Sequence, residues 1–197
     1  MNKSILLATI FEKGSYPKTT VPEVTLCGRS NCGKSSFLNA VLGIKGVAKV
    51  SSKPGKTASI NFYNLSNKLV ITDLPGYGYA KANWELREKW KILVEDYIFN
   101  REQLKLAIIL ADVRRGIEEE EIDLINLFMG RGIKVLIVLT KTDKLSYSAL
   151  LRTKVDTLAQ ISNLWQDMKN RVFFTSSLNK TGITEVKKAL EGIVKTR

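Results

Sequence analysis

Gly28-Arg29-Ser30-Asn31-Cys32-Gly33-Lys34-Ser35 matches the pattern G-x-x-x-x-G-K-[ST] at every fixed position. Before it, Val24-Thr25-Leu26-Cys27 reads as a short buried strand, and after it Ser36-Phe37-Leu38-Asn39-Ala40-Val41-Leu42 reads as the first turns of a helix. That strand–loop–helix setting separates a phosphate loop from a glycine-rich turn with a capping serine. Glycines let the backbone wrap closely around phosphates, and successive N–H groups at a helix N-terminus point at the negative charge. Lys34 adds a full charge toward the β- and γ-phosphates, and the Ser35 hydroxyl can ligate Mg²⁺. The stretch predicts a nucleoside triphosphate site without saying which base is bound.

Outward from this loop, the rest of the chain alternates. Residues 1–21 read as a polar lead-in with one apolar patch, Ile5-Leu6-Leu7, leaving 22–197 as one domain. Gly43 to Thr57 is a long loop made basic by Lys45, Lys49, Lys53 and Lys56, and loops of that length inside a compact domain are usually functional. Residues 59–65 and 68–73 form a hairpin turning at Asn67, and Leu74 to Asn83 is a second glycine-rich loop. Strands follow at 106–111, 134–139 and 172–175, and helices at 84–99, 118–129, 147–164 and 184–195. Continuous apolar strands alternating with helices predict an α/β domain: a mostly parallel six-stranded sheet with one antiparallel strand and helices on both faces. Trp84, Trp90 and Trp165 are assigned to helix faces packed on the core.

Composition narrows the class. The 197 residues carry 31 Lys and Arg against 19 Asp and Glu, a net charge of +12 that favours a polyanionic partner, nucleic acid or an acidic membrane surface. No apolar run reaches the roughly 18 residues of a membrane span, and the N-terminus lacks a signal-peptide pattern. Two cysteines, Cys27 and Cys32, make no disulfide framework, and the cytoplasm is the expected compartment. Cys27 is expected to be buried, and Cys32 to be a loop thiol beside the phosphates. The absence of histidine removes the commonest general base and metal ligand.

Three further stretches sharpen the site. Thr140-Lys141-Thr142-Asp143 ends a buried strand, where open α/β sheets bind their ligands. A carboxylate there can accept two hydrogen bonds from guanine N1–H and its exocyclic amine, a donor pair that adenine lacks, and Lys141 can lie along the base plane. Asp73-Leu74-Pro75-Gly76 places a carboxylate where it can hold a Mg²⁺ water and a glycine N–H for the γ-phosphate, while Thr57 is the candidate second hydroxyl on the metal. Ser176-Ser177-Leu178, after the last strand, can offer backbone N–H groups to guanine O6.

In the order phosphate loop, lone Thr, D-x-x-G, T-K-x-D and S-[AS]-[LK], the chain resembles a translation-factor-type GTPase domain. Gly28 to Ser36, Lys53-Pro54-Gly55-Lys56-Thr57, Asn61-Phe62-Tyr63 and Asp73-Leu74-Pro75-Gly76-Tyr77-Gly78-Tyr79-Ala80 resemble the EngB (YihA/YsxC-type) GTP-binding proteins over nearly the whole chain. These belong to the TrmE–Era–EngA–EngB–septin-like superfamily. Cys32 departs from the valine expected there, a residue of similar size. The resemblance implies a guanine nucleotide and Mg²⁺ as ligands and ribosomal RNA or a large-subunit precursor as partner. It further implies a monomer acting in large-subunit assembly and needed for cell division and septation. It assigns Gly28, Arg29, Ser30, Asn31, Cys32, Gly33, Lys34, Ser35 and Ser36 to the phosphates, with Gly55, Lys56 and Thr57 in the first switch. Asp73, Leu74, Pro75 and Gly76 open the second switch; Ser35, Thr57 and Asp73 are the metal positions. Thr140, Lys141, Thr142, Asp143, Thr175, Ser176 and Ser177 would read the base.

Many GTPases place a glutamine after D-x-x-G to orient the attacking water; here the residue is Tyr77, which predicts slow intrinsic hydrolysis speeded by a partner or a monovalent cation. Lys34, Thr57, Gly76 and Asn31 are the candidate catalytic positions. Asn31 either helps coordinate K⁺ beside the phosphates or simply stabilises the loop. Competing with the ribosomal switch are a GTP-stabilised interaction module of the division machinery without direct ribosome binding, and a general P-loop phosphotransferase, the weakest of the three.

Overall fold

The structure, a computed structural model, describes residues 4–43, 59–78 and 84–195. The basic loop with Gly55, Lys56 and Thr57 therefore lies outside the described residues, as does the end of the second glycine-rich loop at 79–83. Strands are β1 (Ser4–Ile10), β2 (Glu23–Gly28), β3 (Ile60–Leu65), β4 (Leu69–Asp73), β5 (Leu104–Asp112), β6 (Lys134–Thr140) and β7 (Val172–Phe174). Helices are α1 (Lys34–Leu42), α2 (Trp84–Asn100), α3 (Glu119–Gly130), α4 (Tyr147–Leu164) and α5 (Ile183–Lys195). They form one sheet in the order β1-β3-β4-β2-β5-β6-β7, in which only β3 runs against the rest.

The α/β class and the single antiparallel strand agree with the sequence; the strand count is seven rather than six. The addition is β1, inside the stretch expected as a polar lead-in, which pairs Ser4↔Leu65 through Ile10↔Ile60 with a bulge between Leu6 and Ala8. As an edge strand with Leu6 and Leu7 exposed, it has neither the alternating pattern nor the buried run by which strands are recognised.

Alternation along the central strands divides the core into two layers. Leu106, Ile108 and Leu110 of β5 join Phe37, Leu38 and Val41 of α1 and Ile183, Val186 and Leu190 of α5. Ala107, Ile109 and Ala111 face the opposite way, toward Leu93 and Tyr97 of α2, Leu124 and Phe128 of α3 and Ile161 of α4. Both faces of the central strands are thus covered, as their apolar runs require. Of the tryptophans, Trp90 and Trp165 pack against this core, whereas Trp84 is 75% exposed, since it stands at the helix start ahead of the buried stripe.

At the amino end of β2, fully buried Glu23 is neutralised by Arg101, whose Nε and Nη2 reach its carboxylate at 2.9 and 2.5 Å. The order places β2 between β4 and β5, so the chain switches direction across the sheet at its carboxyl end. Such a switch point opens a crevice for ligands, and the phosphate-loop motif follows β2 directly.

Candidate guanine-nucleotide site

The Gly28–Ser35 turn is shaped by backbone geometry that few residues tolerate. Asn31 (φ 66°) and Gly33 (φ 104°) are left-handed, and Gly33 caps α1 while its carbonyl accepts from the Phe37 N–H at 2.8 Å. At Gly28 a Cβ would stand 2.6 Å from both the Leu110 carbonyl and the Cys32 sulfur, so only glycine lets β2 turn there. Cys32 itself is 4% exposed and packs in the α1–α5 layer. It keeps its place in the loop, as expected, but its side chain is part of the core, and burial pushes its thiol pKa up.

β4 ends at Asp73 beside this turn. Asp73 Oδ1 is buried with no hydrogen-bond partner among the described residues, and Lys34 Nζ stands 3.8 Å away. Burial raises the carboxyl pKa, and the Lys34 charge opposes the rise. Pro75 and Gly76 then run against the turn: a Cβ on Gly76 would meet the Ser30 backbone N at 3.0 Å, and the Ser30 N–H donates to the Tyr77 carbonyl at 2.9 Å. Leu74 is buried, with its N–H on the Leu26 carbonyl at 3.0 Å. Tyr77 points away from Lys34 and Ser35 into the core. Its ring meets Trp90 edge-on at 5.9 Å and its hydroxyl donates to the buried Glu121 of α3 at 2.7 Å. Burial, then the Glu121 charge, hold that hydroxyl far above the usual phenol range.

The base-reading stretch is joined to the phosphate turn by a chain of side chains. The buried Thr140 hydroxyl donates to the Cys32 carbonyl at 2.5 Å and to the Ala111 carbonyl at 3.1 Å. Lys141, itself left-handed (φ 61°), donates from Nζ to the Asn31 carbonyl at 2.6 Å. The same Nζ lies 3.0 Å from Asp112 Oδ2. Asp112 closes β5 and is forked by Arg114 at 2.9 and 2.6 Å, and these bonds, with the Lys141 charge, hold its carboxyl well below the usual range against the effect of burial. Thr142 N–H donates to the Thr175 carbonyl, and Ser176 Oγ donates to Asp143 Oδ1 at 2.5 Å, which lowers the Asp143 pKa. The Ser176 N–H is committed to the Thr181 carbonyl at 3.0 Å, so this residue acts through its hydroxyl.

Most described residues singled out for the site lie at the carboxyl ends of β2, β4 and β6 or just after β2 and β7. Arg29 reaches away from them, pairing with Glu118 and with Glu120 at 2.7 Å, while Ser36 is exposed on the first turn of α1. Asp112, Arg114 and Glu121 had no motif to mark them; only their position at the end of β5 and the start of α3 could have drawn attention. The donor set suits Mg²⁺: the orphaned Asp73 oxygen and the half-buried Ser35 hydroxyl are hard oxygen ligands, and this metal usually takes one or two protein oxygens and completes its shell with water and phosphate.

A family profile described as 50S ribosome-binding GTPase matches residues 23–141. Over 188 residues the chain is 37% identical to a probable GTP-binding protein EngB of Caldanaerobacter subterraneus subsp. tengcongensis, covering 95% of each chain. A crystal structure of a probable GTP-binding protein engB superposes with a TM-score of 0.72 at 20% identity, covering 89% of this chain and all of that one. A crystal structure of Era in complex with MgGDPNP and nucleotides 1506–1542 of 16S ribosomal RNA superposes at 0.66 and 22% identity, covering 89% of this chain and 57% of that one.

Proposed function

The chain belongs to the EngB family of GTP-binding proteins, within the ribosome-binding GTPases, and on that footing we propose that it is a GTP-gated assembly factor of the large ribosomal subunit. As a GTPase it binds guanine nucleotide and converts GTP to GDP and phosphate. The observation that carries the reading is the tie between the two halves of the site: Asp143, held by Ser176, stands on the same loop as Lys141, whose ammonium is bonded to the phosphate turn. Asp143 accepts the guanine donor pair while Ser177 N–H serves O6, and Gly28 to Ser36 and Lys34 cradle the phosphates. Ser35, Thr57 and Asp73 hold Mg²⁺, which when bound neutralises charge developing on the phosphates. Gly76 N–H and Thr57 respond to the γ-phosphate, so that hydrolysis releases both switches.

Intrinsic hydrolysis is slow. Tyr77 is anchored on Glu121 and does not orient a water, which leaves the developing charge to a partner or to K⁺ held near Asn31. Ribosomal RNA is the partner that fits the +12 charge and the ribosome-binding character of the matched family, and Era, which shares this fold, is seen in complex with 16S ribosomal RNA. Its work in subunit assembly makes it necessary for division and septation.

Binding of GTP, GDP and ATP tests the nucleotide reading: GTP and GDP bind and ATP does not, and equal ATP binding would overturn it. Co-sedimentation with large-subunit particles, with and without a non-hydrolysable GTP analogue, tests the partner; a protein that never enters the particle pellet is instead a GTP-stabilised module of the division machinery. Hydrolysis in KCl against NaCl tests the cation, and equal rates would dismiss K⁺.

A further inference from the structure

At the opposite pole of the sheet from the nucleotide crevice, the amino ends of β2, β5 and β6 border a groove of about 700 Å³. Its walls carry Lys105 on β5, Lys134 on β6 and Arg131 after α3, all exposed, against one exposed carboxylate, Glu102. Arg101 also lines it, but its charge is spent on buried Glu23. Lys105 and Lys134 stand at the starts of neighbouring parallel strands, on opposite faces of the sheet, and reach the groove at the sheet's end from its two sides. Arg131 is fixed in a particular pose: its guanidinium lies over the half-exposed Phe99 ring at 5.2 Å from the centroid, and Nη2 donates to the Phe99 carbonyl at 2.7 Å. A guanidinium seated over a ring and anchored through one nitrogen can take a nucleobase on its other side while keeping donors for phosphate.

We propose that this groove is a second ligand site, one that takes a short single-stranded RNA segment, with Lys105 and Lys134 on its phosphates and the Arg131–Phe99 pair stacking a base. The proposal rests on the ribosomal-RNA reading above and adds where and how the RNA is held. A cleft of this volume is the size of a small-ligand pocket, so it admits a strand of one or two nucleotides and not the flank of a duplex. Its polar, concave lining also suits RNA better than a lipid surface, which needs a convex basic face with protruding apolar side chains. The groove is separated from the crevice by the length of β5, nine residues or roughly 30 Å, and none of the side chains named here lies in a switch. RNA held here stays bound in both nucleotide states, so the groove is a constant tether beside the GTP-gated contact.

Fluorescence anisotropy with a labelled ten-nucleotide single-stranded RNA, over a salt series and in GTP analogue or GDP, tests this on the full chain. Substituting Lys105→Glu, Arg131→Glu and Lys134→Glu together lowers affinity at least tenfold. It also flattens the slope of log K against log salt by about 1.4, the value for the two single-strand phosphate contacts of Lys105 and Lys134. Phe99→Ala lowers affinity severalfold with the slope unchanged, and GTP affinity stays at the parent value in both variants. Parent-like RNA binding by the triple variant would overturn the groove alone, as would a groove contribution that changes with the nucleotide. A parent that binds no RNA overturns both this site and the ribosomal-RNA reading. Anionic vesicles bound in place of RNA, and lost in the triple variant, would assign the groove to a membrane and overturn the proposal.

Discussion

The two walls of the nucleotide crevice are built differently. On the base side, Thr140, Lys141, Asp143 and Ser176 are each tied down by a bond of 2.5 to 2.6 Å, and Asp112 braces Lys141 from behind. On the phosphate side, Asp73 Oδ1 is buried with no hydrogen bond among the described residues, and Lys34 stands 3.8 Å from it. One wall is finished by the protein itself; the other presents charges that the described residues leave incompletely paired. The difference teaches where the free energy of binding goes. A preorganised wall gives specificity at little ordering cost, while a wall of incompletely paired charges gives an affinity that depends on the ligand's own charge.

The largest expected effect strikes the finished wall. Asp143→Asn removes the acceptor for guanine's two donors and lowers GTP affinity by about 10³- to 10⁴-fold, while xanthosine triphosphate gains, because its ring carries a carbonyl where guanine has its amine. Competition binding with both nucleotides measures this, and an unchanged GTP affinity would dissolve the contrast between the walls. Next comes the unfinished wall: Lys34→Ala lowers GTP affinity by roughly 10²- to 10³-fold through loss of a charge-assisted contact. It leaves the preference for guanine over adenine intact, which titration of GTP and ATP against the variant reads directly.

A smaller effect is expected at the brace. Asp112→Asn lowers stability by about 1–3 kcal/mol in chemical unfolding, the range for a buried charge-assisted network, and loosens guanine binding less than Asp143→Asn does. The Asp112 carboxyl titrates below its ordinary value in the folded chain, chiefly through Arg114. Its stabilisation is therefore complete above the ordinary carboxylate pKa of about 4 and is lost as pH falls below it toward the lower folded value. Parent and variant unfolding curves accordingly diverge at neutral pH and converge in acid. The smallest expected effect is Tyr77→Phe, about 1 kcal/mol of stability for one buried hydrogen bond, with intrinsic GTP hydrolysis within twofold of the parent. A large fall in the single-turnover rate would instead place Tyr77 in the chemistry.

What the sequence made legible follows the same division. The phosphate-loop motif, Asp73 and Asp143 stood out in the sequence because the chemistry proposed for them demands fixed residue types at fixed spacing next to buried strands. Asp112 and Glu121 were not, because a carboxylate that braces a neighbour needs only to be in reach, and reach is set by strand register: Asp112 pairs with Thr140 across β5 and β6. Trp84 misled because helical periodicity assigns a face without saying where along the helix the core begins. The bond from Tyr77 to Glu121 spans 44 positions and leaves no local trace. β1 escaped for a further reason: nothing in Ile5-Leu6-Leu7 distinguishes an edge strand from an apolar patch in a tail.

That edge strand has a consequence for how the chain is made. Among the described residues β1 finds its partner in β3 alone, so Ser4 must wait for Leu65, and Ile10 for Ile60. During synthesis β1 leaves the ribosome well before β3 and waits for it unpaired, its apolar residues open to other chains meanwhile. That vulnerability is a matter of timing, set by the order of the strands along the chain.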